Sequence, residues 1–430
     1  MSLKKKLISG GIATILVRII GTVIAFFLSV FLARTLGAEG FGIYSFVLSL
    51  LVFLSIPIQA GFPNLIVREV AKSLLKNDWL SIKGLVLWVL KLITVYTSLL
   101  GGLIGFFYFL DVNWLEKERL SIFLIGFILI LLIPVLLLQN ALIRGLGRVI
   151  LGIFPDSVLR PGFTFLIAGI VFFVSKETLA PHTVILSYVL SVFIAVCLSM
   201  VFIWKLTPVE NRKLTAINME IDMWKKAAYP LTIVGGLQLM YGYVDIIILG
   251  FYHSNKDVGV YRAISQLGML VVFGLSAINQ MLHSYFVKFY LEKKIDQLQK
   301  LVTYSYFAIF GIATIPALIF VFCGEFVLNT IFGSEYIAGT VPLIILTIGQ
   351  FANATFGSVG ALLNMTGHEK DAMKGMLYSL GVNLILSFIL IPLYGMVGAA
   401  IATAISSLVW NAILRHYVKK RLTIESIGFI

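Results

Sequence analysis

Charge is scarce in this chain. Asp, Glu, Lys and Arg make up 12% of its 430 residues, against 60% hydrophobic residues. A soluble domain carries about twice that share of charge, so a soluble globular enzyme is excluded. The dominance of apolar residues likewise excludes a disordered chain. Carboxylates are scarcer still, 20 against 33 Lys and Arg, for a net charge of +13. In a soluble protein that surplus would point to nucleic acid. In so apolar a chain it marks cytoplasmic loops instead, and no nucleic-acid partner is expected. Only two cysteines occur, Cys197 and Cys323, both in apolar runs without metal-ligand spacing, and both read as free thiols. A long polar segment is also missing. The longest, around Thr207–Lys226, is too short for a domain, and no Gly-x-x-x-x-Gly-Lys-Ser/Thr loop exists. That argues against a self-contained ATP-driven pump. His182, His253, His283, His368 and His416 are scattered, and there is no His-Glu-x-x-His motif. The acidic residues Asp111, Glu116 and Glu118 are interleaved with Lys117 and Arg119, as in a solvated loop. The reading is a non-enzyme with no catalytic residue, no metal and no cofactor.

What the chain has is long apolar runs. They are too long and too uniform for barrel strands, which alternate over roughly ten residues. An all-α integral membrane protein follows. At about 20 apolar residues per crossing plus turns, the length holds about twelve to fourteen spans. Spans read near 8–33, 41–67, 84–110, 120–143, 149–175, 180–204, 227–250, 258–287, 301–330, 340–364, 374–393 and 396–416. The first, behind Lys4-Lys5-Lys6, is too long for a signal-peptide core and reads as a retained helix. Lys and Arg crowd into alternate connections: Lys4–Lys6, Arg68–Lys83, Arg144–Arg148, Lys205–Lys226, Lys288–Lys300, Lys370–Lys374 and Arg415–Arg421. The opposite side holds Arg34, Lys117, Arg119, Lys176 and Lys256. By the positive-inside rule both termini are expected in the cytoplasm.

An internal repeat is visible. Leu36-Gly37 followed by Phe41-Gly42-Ile43-Tyr44 recurs as Leu249-Gly250 followed by Val258-Gly259-Val260-Tyr261. Ala141-Leu142-Ile143 with Gly147 recurs as Ala361-Leu362-Leu363 with Gly367. Each unit would hold six helices, and an even number makes the repeat parallel, about an axis along the membrane normal. The expected division is a six-helix bundle at 1–206, a cytoplasmic linker at 207–226 and a second bundle at 227–430, around a central cleft. Pro57, Pro63, Pro134, Pro155, Pro161, Pro230, Pro316 and Pro342 fall in or beside spans. They suit helices that kink and rock, and equally the ordinary enrichment of proline in membrane helices.

Arg18, Lys91, Arg160 and Arg262 lie inside apolar runs. A cation at mid-membrane costs about 3 kcal/mol on insertion scales and therefore faces a bundle interior or a wet cavity. Arg18, deep in the first span, is the leading anion-binding candidate; a structural role, bonded to carbonyls of a neighbouring helix, stays open. Asp156 lies four residues before Arg160, the favoured order for an intrahelical pair. Lys91 is near enough to an edge to snorkel. Asp245 is the one carboxylate well inside a span; it reads either as a coupling site for an ion or proton or as the partner of Arg262 across a turn. Four cations against so few carboxylates favour an anionic substrate, and guanidinium groups suit phosphate oxygens. Polar residues such as Gln59, Asn64, Gln139, Asn140, Gln238, Gln266, Asn279, Gln280, Gln350 and Asn353 read mostly as interhelical contacts.

Leu32-Ala33-Arg34-Thr35-Leu36-Gly37-Ala38-Glu39-Gly40-Phe41-Gly42-Ile43-Tyr44, then Val67-Arg68-Glu69-Val70-Ala71, resemble the Wzx-type polysaccharide flippases of the multidrug/oligosaccharidyl-lipid/polysaccharide exporter superfamily. Arg144-Gly145-Leu146-Gly147 and Asp245-Ile246-Ile247-Ile248-Leu249-Gly250 with Val258-Gly259-Val260-Tyr261 continue the likeness along the chain. The resemblance implies a multi-pass protein of the inner (cytoplasmic) membrane. It implies transfer of a polyprenyl (undecaprenyl)-diphosphate-linked oligosaccharide from the cytoplasmic to the outer leaflet by alternating access. Such transfer feeds O-antigen, lipopolysaccharide, capsule or a related polymer. Membrane lipid and other membrane proteins of polysaccharide assembly are the implied partners. Cavity-lining cations carry over to Arg18, and with less support to Lys91, Arg160 and Arg262. An ion-coupled drug exporter of the same superfamily, using Asp245, and a non-transporting accessory subunit remain alternatives.

Overall fold

The computed structural model describes residues 3–110, 115–175, 179–212 and 218–427, with the backbone alone at 3–12 and 212. Asp111, Lys176 and Lys213 lie outside the described residues, as do the side chains of Lys4, Lys5, Lys6 and Arg212. Among the described residues all regular structure is helical. The elements are α1 (Leu3–Gln59), α2 (Phe62–Leu75), α3 (Trp79–Phe109), α4 (Lys117–Gly126), α5 (Leu129–Gly145), a π-turn at Pro155–Leu159, α6 (Arg160–Ser175), α7 (Pro181–Leu206), α8 (Val209–Arg212), α9 (Ile221–Tyr252), α10 (Asn255–Val271), α11 (Phe273–Leu291), α12 (Ile295–Ile331), a 3₁₀ turn at Ser334–Gly339, α13 (Thr340–Thr355), α14 (Val359–Met365) and α15 (Glu369–Leu422). Helices dominate because a backbone in hydrocarbon must satisfy its own hydrogen bonds.

Nine helical stretches are long and apolar enough to cross a membrane, ten with the bent pair α10–α11. The first and last are each two helices run together. Gly37 (φ 68°) breaks α1, and Gly395 (φ 55°) breaks α15. Counting each as two gives twelve crossings among the described residues, the number expected. The second and tenth spans differ from expectation in detail. The run at 41–67 breaks at Ala60-Gly61, where α9 presses its Leu231–Thr232 backbone onto Gly61 (φ 78°), leaving no room for a side chain. The run at 340–364 breaks at Phe356–Ser358, around Gly357 (φ 70°).

The chain forms two compact units. One comprises Met1–Leu36 and Phe46–Met240, the other Gly37–Ser45 and Tyr241–Ile430. In the first, α5 packs on α2 and α7, and α7 also on α4 and α6. Trp88 of α3 meets Trp224 of α9 with ring centroids 5.6 Å apart, and Asp78, the N-cap of α3, binds Ser81, which in turn accepts from Asn218. These contacts pin the polar stretch before α9 to the start of α3. In the second unit, α13 packs on α10, α12 and α15, and α14 on α15. Its end is closed by the segment after α15: Ile424 is buried among Leu298, Val302, Val359 and Leu414. Glu425 beside it is bound by Arg415, Lys419 and Gln299. Interhelical hydrogen bonds such as Asn411 to Asn353 (2.9 Å) add to the close packing of small residues.

The repeat is visible in the backbone. Gly147 and Gly367 share a φ of +81°, and each closes a helix with the same six-residue loop: the Arg148 N–H reaches the Ile143 carbonyl, and the His368 N–H the Leu363 carbonyl. That left-handed cap explains the glycine in both copies. The other repeated glycines face each other. A Cβ on Gly42 would lie 1.7 Å from the Asn255 carbonyl oxygen, and one on Gly259 2.0 Å from that of Ala38. Glu335 completes this seam by accepting from the Ala38 N–H at 2.7 Å.

Candidate functional site

In the first unit, Asp156 sits on the π-turn and Arg160 opens α6. Their side chains pair at 2.9 Å, Nε to Oδ1, as the four-residue spacing predicts. Arg160 also donates to the Tyr188 hydroxyl on α7 and lies over that ring, 5.5 Å from its centroid. A guanidinium so placed is positioned from three sides, with about a third of its side chain still open.

Arg18 is exposed on α1, and its helix is fixed against the π-turn at the next turn. A Cβ on Gly21 would lie 2.3 Å from the Ser157 carbonyl oxygen, so the two backbones touch there. Arg144 ends α5, where the returning chain at Gly152 presses on its side-chain stem. Arg18 and Asp156 are both near enough to act on the Arg144 charge. Arg18, Arg144, Asp156 and Arg160 thus form one neighbourhood, three guanidiniums against one carboxylate. Arg144 was read from the sequence as a loop cation; its membership depends on the fold-back after α5. Lys91 is exposed on α3 and has no ion-pair partner among the described residues.

In the second unit, Asp245 of α9 is buried. Ser387 donates to its Oδ1 at 3.0 Å, Tyr261 to its Oδ2 at 3.3 Å, and Thr403 to the same oxygen. The Asp245–Arg262 bridge is absent: among the described residues no Lys or Arg nitrogen lies within ion-pair distance of this carboxylate. The reason is helical phase. Consecutive residues on a helix point about 100° apart, and Tyr261 is the one that faces Asp245. Arg262, next along, is turned elsewhere and half-buried. The network continues through Tyr241, whose hydroxyl meets Ser406 at 3.0 Å, and Ser379, which donates to the Ser406 carbonyl at 2.7 Å. Asn383 reaches the Ser406 hydroxyl at 3.4 Å. Sequence reasoning missed this shell, although a signal exists. Ser379, Asn383 and Ser387 recur every four residues, as do Tyr241 and Asp245, and such spacing puts polar groups on one helix face.

Chemically, the first unit can hold an anion with several phosphate oxygens, because guanidiniums bind them bidentately. The second offers carboxylate and hydroxyl oxygens, a set that suits a proton or a small cation.

Comparison with known proteins agrees with this architecture. The chain is 22% identical over 405 residues, 92% of its own length and 80% of the relative's, to a protein of Haloferax volcanii described as "Probable low-salt glycan biosynthesis flippase Agl15". Its fold is similar to the inward-facing conformation of a multidrug resistance MATE family transporter of the MOP superfamily (TM-score 0.74, 15% identity, 95% and 98% of the two chains). It is equally similar to the lipid II flippase MurJ in an inward closed conformation (TM-score 0.75, 14% identity, 95% and 87%). Residues 7–289, well over half of the chain, match the family described as "Polysaccharide biosynthesis protein", and this multi-pass membrane protein belongs to that family.

Proposed function

We propose that the protein is a flippase of glycan biosynthesis. It moves a polyprenyl-diphosphate-linked oligosaccharide from the cytoplasmic to the outer leaflet, for O-antigen, capsule or a related surface polymer. The observation that carries this reading is the guanidinium neighbourhood of Arg18, Arg144 and Arg160 within an apolar helical unit. A diphosphate is the substrate group that such a cluster suits, and the low local dielectric strengthens the attraction. The names of the Haloferax volcanii relative and of MurJ support a lipid-linked glycan as cargo. In this reading 1–206 and 227–430 are two bundles joined by the cytoplasmic linker 207–226. They are repeats about an axis along the membrane normal and rock against each other in alternating access. Both termini are cytoplasmic, as the distribution of Lys and Arg supports. Arg18 and Arg160 engage the diphosphate, Lys91 and Arg262 serve as accessory cations, and Asp245 binds the coupling proton or ion.

The test is genetic. The gene is deleted in its host, and surface polysaccharide and polyprenyl-linked sugars are profiled. Loss of one polymer, with its lipid-linked repeat unit trapped on the cytoplasmic leaflet, is expected. Complementation with Arg18→Ala should fail and with Arg18→Lys should be partial, at normal protein level. Normal glycan in Arg18→Ala cells removes Arg18 as the anchor. The buried Asp245 network favours one second reading, an ion-coupled drug exporter. Unchanged glycan with new drug sensitivity would establish that instead.

A further inference from the structure

The second unit holds a column of buried polar groups that begins at Asp245 and runs toward the end read as cytoplasmic. Thr403 of α15 donates to Asp245. One turn on, the Ser406 hydroxyl donates to the Thr403 carbonyl at 3.0 Å and meets Tyr241 and Asn383. The next turn brings Asn411, whose amide donates to the Ser407 carbonyl at 2.8 Å and to Asn353 Oδ1 of α13 at 2.9 Å. Asn353 in turn donates to Gln350 at 3.3 Å. Arg415 follows and binds Glu425 at 3.4 Å. Thr403, Ser407, Asn411 and Arg415 are spaced four apart, so this line winds about 40° per step around α15 and covers about 18 Å. The winding accounts for the change of partner from α9 to α13 and then to the segment after α15.

A second helix closes the column. The side of α10 that turns Tyr261 to Asp245 turns Gly268, two turns further, to Gln350: a Cβ on Gly268 would lie 3.8 Å from the Gln350 side chain. Seven residues bring a helix back to within about 20° of the same direction, about 10 Å along its axis, so both contacts share one face. Asp245 and the Gln350–Asn353–Asn411 group are thus joined along α10 as well as along α15. Asn383 and Asn411 are buried, and Asn383 Oδ1 has no hydrogen-bond partner among the described residues. Groups that only hold helices together are paired, and polar residues this deep in a membrane protein mark ion pathways. Past Asn411 the column meets a cover. Gly357 lies four residues after Asn353, and a Cβ on it would be 3.2 Å from the Ser426 carbonyl oxygen. Ile424 is buried with Leu298, Val359 and Leu414, and Gln299 both accepts from the Glu425 N–H and donates to its carbonyl. The hydroxyls of Ser358 and Ser426, buried in this cover, also lack partners among the described residues.

We propose that this column is the passage by which a small hydrated cation moves between the cytoplasm and Asp245, and that 423–426 is its gate. This rests on the reading of Asp245 as the coupling site, and adds the side from which the ion arrives and the part that must move. The lining carries the assignment. From Asp245 to Asn411 the linked groups are hydroxyls, amides and backbone carbonyls, an oxygen-rich set that suits water and a hard cation. The gate is the weak point of the closed form. It is held by one buried side chain and by ion pairs to half-exposed Arg415 and Lys419. Such a segment opens at far lower cost than the helices beneath it.

The experiment measures cysteine accessibility in the full chain, in inside-out and right-side-out membrane vesicles. The two native thiols are first removed as Cys197→Ala and Cys323→Ala. Ser379→Cys and Ser407→Cys, near-isosteric changes, then probe the column with a membrane-impermeant, positively charged methanethiosulfonate. Leu291→Cys, at an exposed position beside the gate end, marks the side, and Leu408→Cys, exposed next to Ser407 on the same helix, is the control outside the column. Both column cysteines should react from the side that labels Leu291→Cys, and Leu408→Cys should not react. Ile424→Ala should speed the column reaction about tenfold, equivalent to ~1.4 kcal/mol of gate stability. Glu425→Gln, which keeps the buried Ile424, should act in the same direction. Reaction from the opposite side only, or none from either side while Leu291→Cys reacts, would overturn the passage. Equal reaction of Leu408→Cys would overturn it too, and unchanged rates in both tail variants would overturn the gate. Normal glycan in Asp245→Asn cells, beside the expected labelling, would remove the coupling reading and leave the passage standing.

Discussion

Single residues here act through the groups that hold them. Asp78 caps α3 and accepts both the Ser81 N–H and hydroxyl, which hold its carboxyl below the ordinary value of 3.8. Asp78→Ala should cost about 1 kcal/mol, read as a lower melting temperature at neutral pH. Because the folded pKa is depressed, the cap's contribution is present above the ordinary carboxylate range. It is lost as pH falls through the folded value. Wild type and Asp78→Ala should therefore converge in acid, and a gap that persists unchanged there would contradict the cap. At Asp245, Ser387→Ala or Thr403→Val removes a donor from a buried carboxylate, and each should lower stability by about 1–3 kcal/mol. Arg262→Gln combined with Asp245→Asn should be additive in a thermal-shift cycle, since Tyr261, not Arg262, faces the carboxylate. The Asp156–Arg160 pair was legible from its spacing alone. Tyr188, which orients the same Arg160 from 28 residues away, was not, because nothing local in sequence connects them.

At the scale of elements, the breaks matter as much as the helices. Gly42 and Gly259 bring two helix backbones together, so Gly42→Ala or Gly259→Ala forces the seam apart. Each should destabilise by about 1–3 kcal/mol or more, the range for overpacking. Gly102→Ala, on an open face of α3, should leave the melting temperature equal or higher, since alanine is the better helix former. Equal tolerance at all three positions would refute the seam. The segment after α15 makes a second such contact. Glu425, held below its ordinary pKa mainly by the Lys419 hydrogen bond, anchors a buried Ile424. Ile424→Ala should therefore cost more than Glu425→Gln, because burial of the apolar side chain outweighs a largely surface ion pair. Sequence spacing located most spans to within a few residues. It missed the breaks at Gly61 and Gly357, where short polar dips around Gln59–Asn64 and Gln350–Ser358 sit inside runs still long enough for one span.

For the whole molecule, composition together with the length of the apolar runs decided the class. With so little charge the chain must lie in a bilayer, and apolar runs too long and uniform for barrel strands leave helices, which satisfy their own backbone there. The repeat was also legible, because the left-handed caps at Gly147 and Gly367 and the close approach at Gly42 and Gly259 demand the same residue in both copies. What the linear sequence could not decide is which charged groups meet. Hydropathy reports how deep a residue lies along its own helix and says nothing of its rotation toward a neighbour. Arg144, read as a loop cation, joins Arg18 because the chain folds back at Gly152. Arg262, whose pairing with Asp245 was one of two readings, is turned away by one helical step. Depth is a property of one segment and is written in its composition. Facing is a property of two segments, set by backbone contacts such as Gly21 on Ser157, and it exists only once the helices have packed.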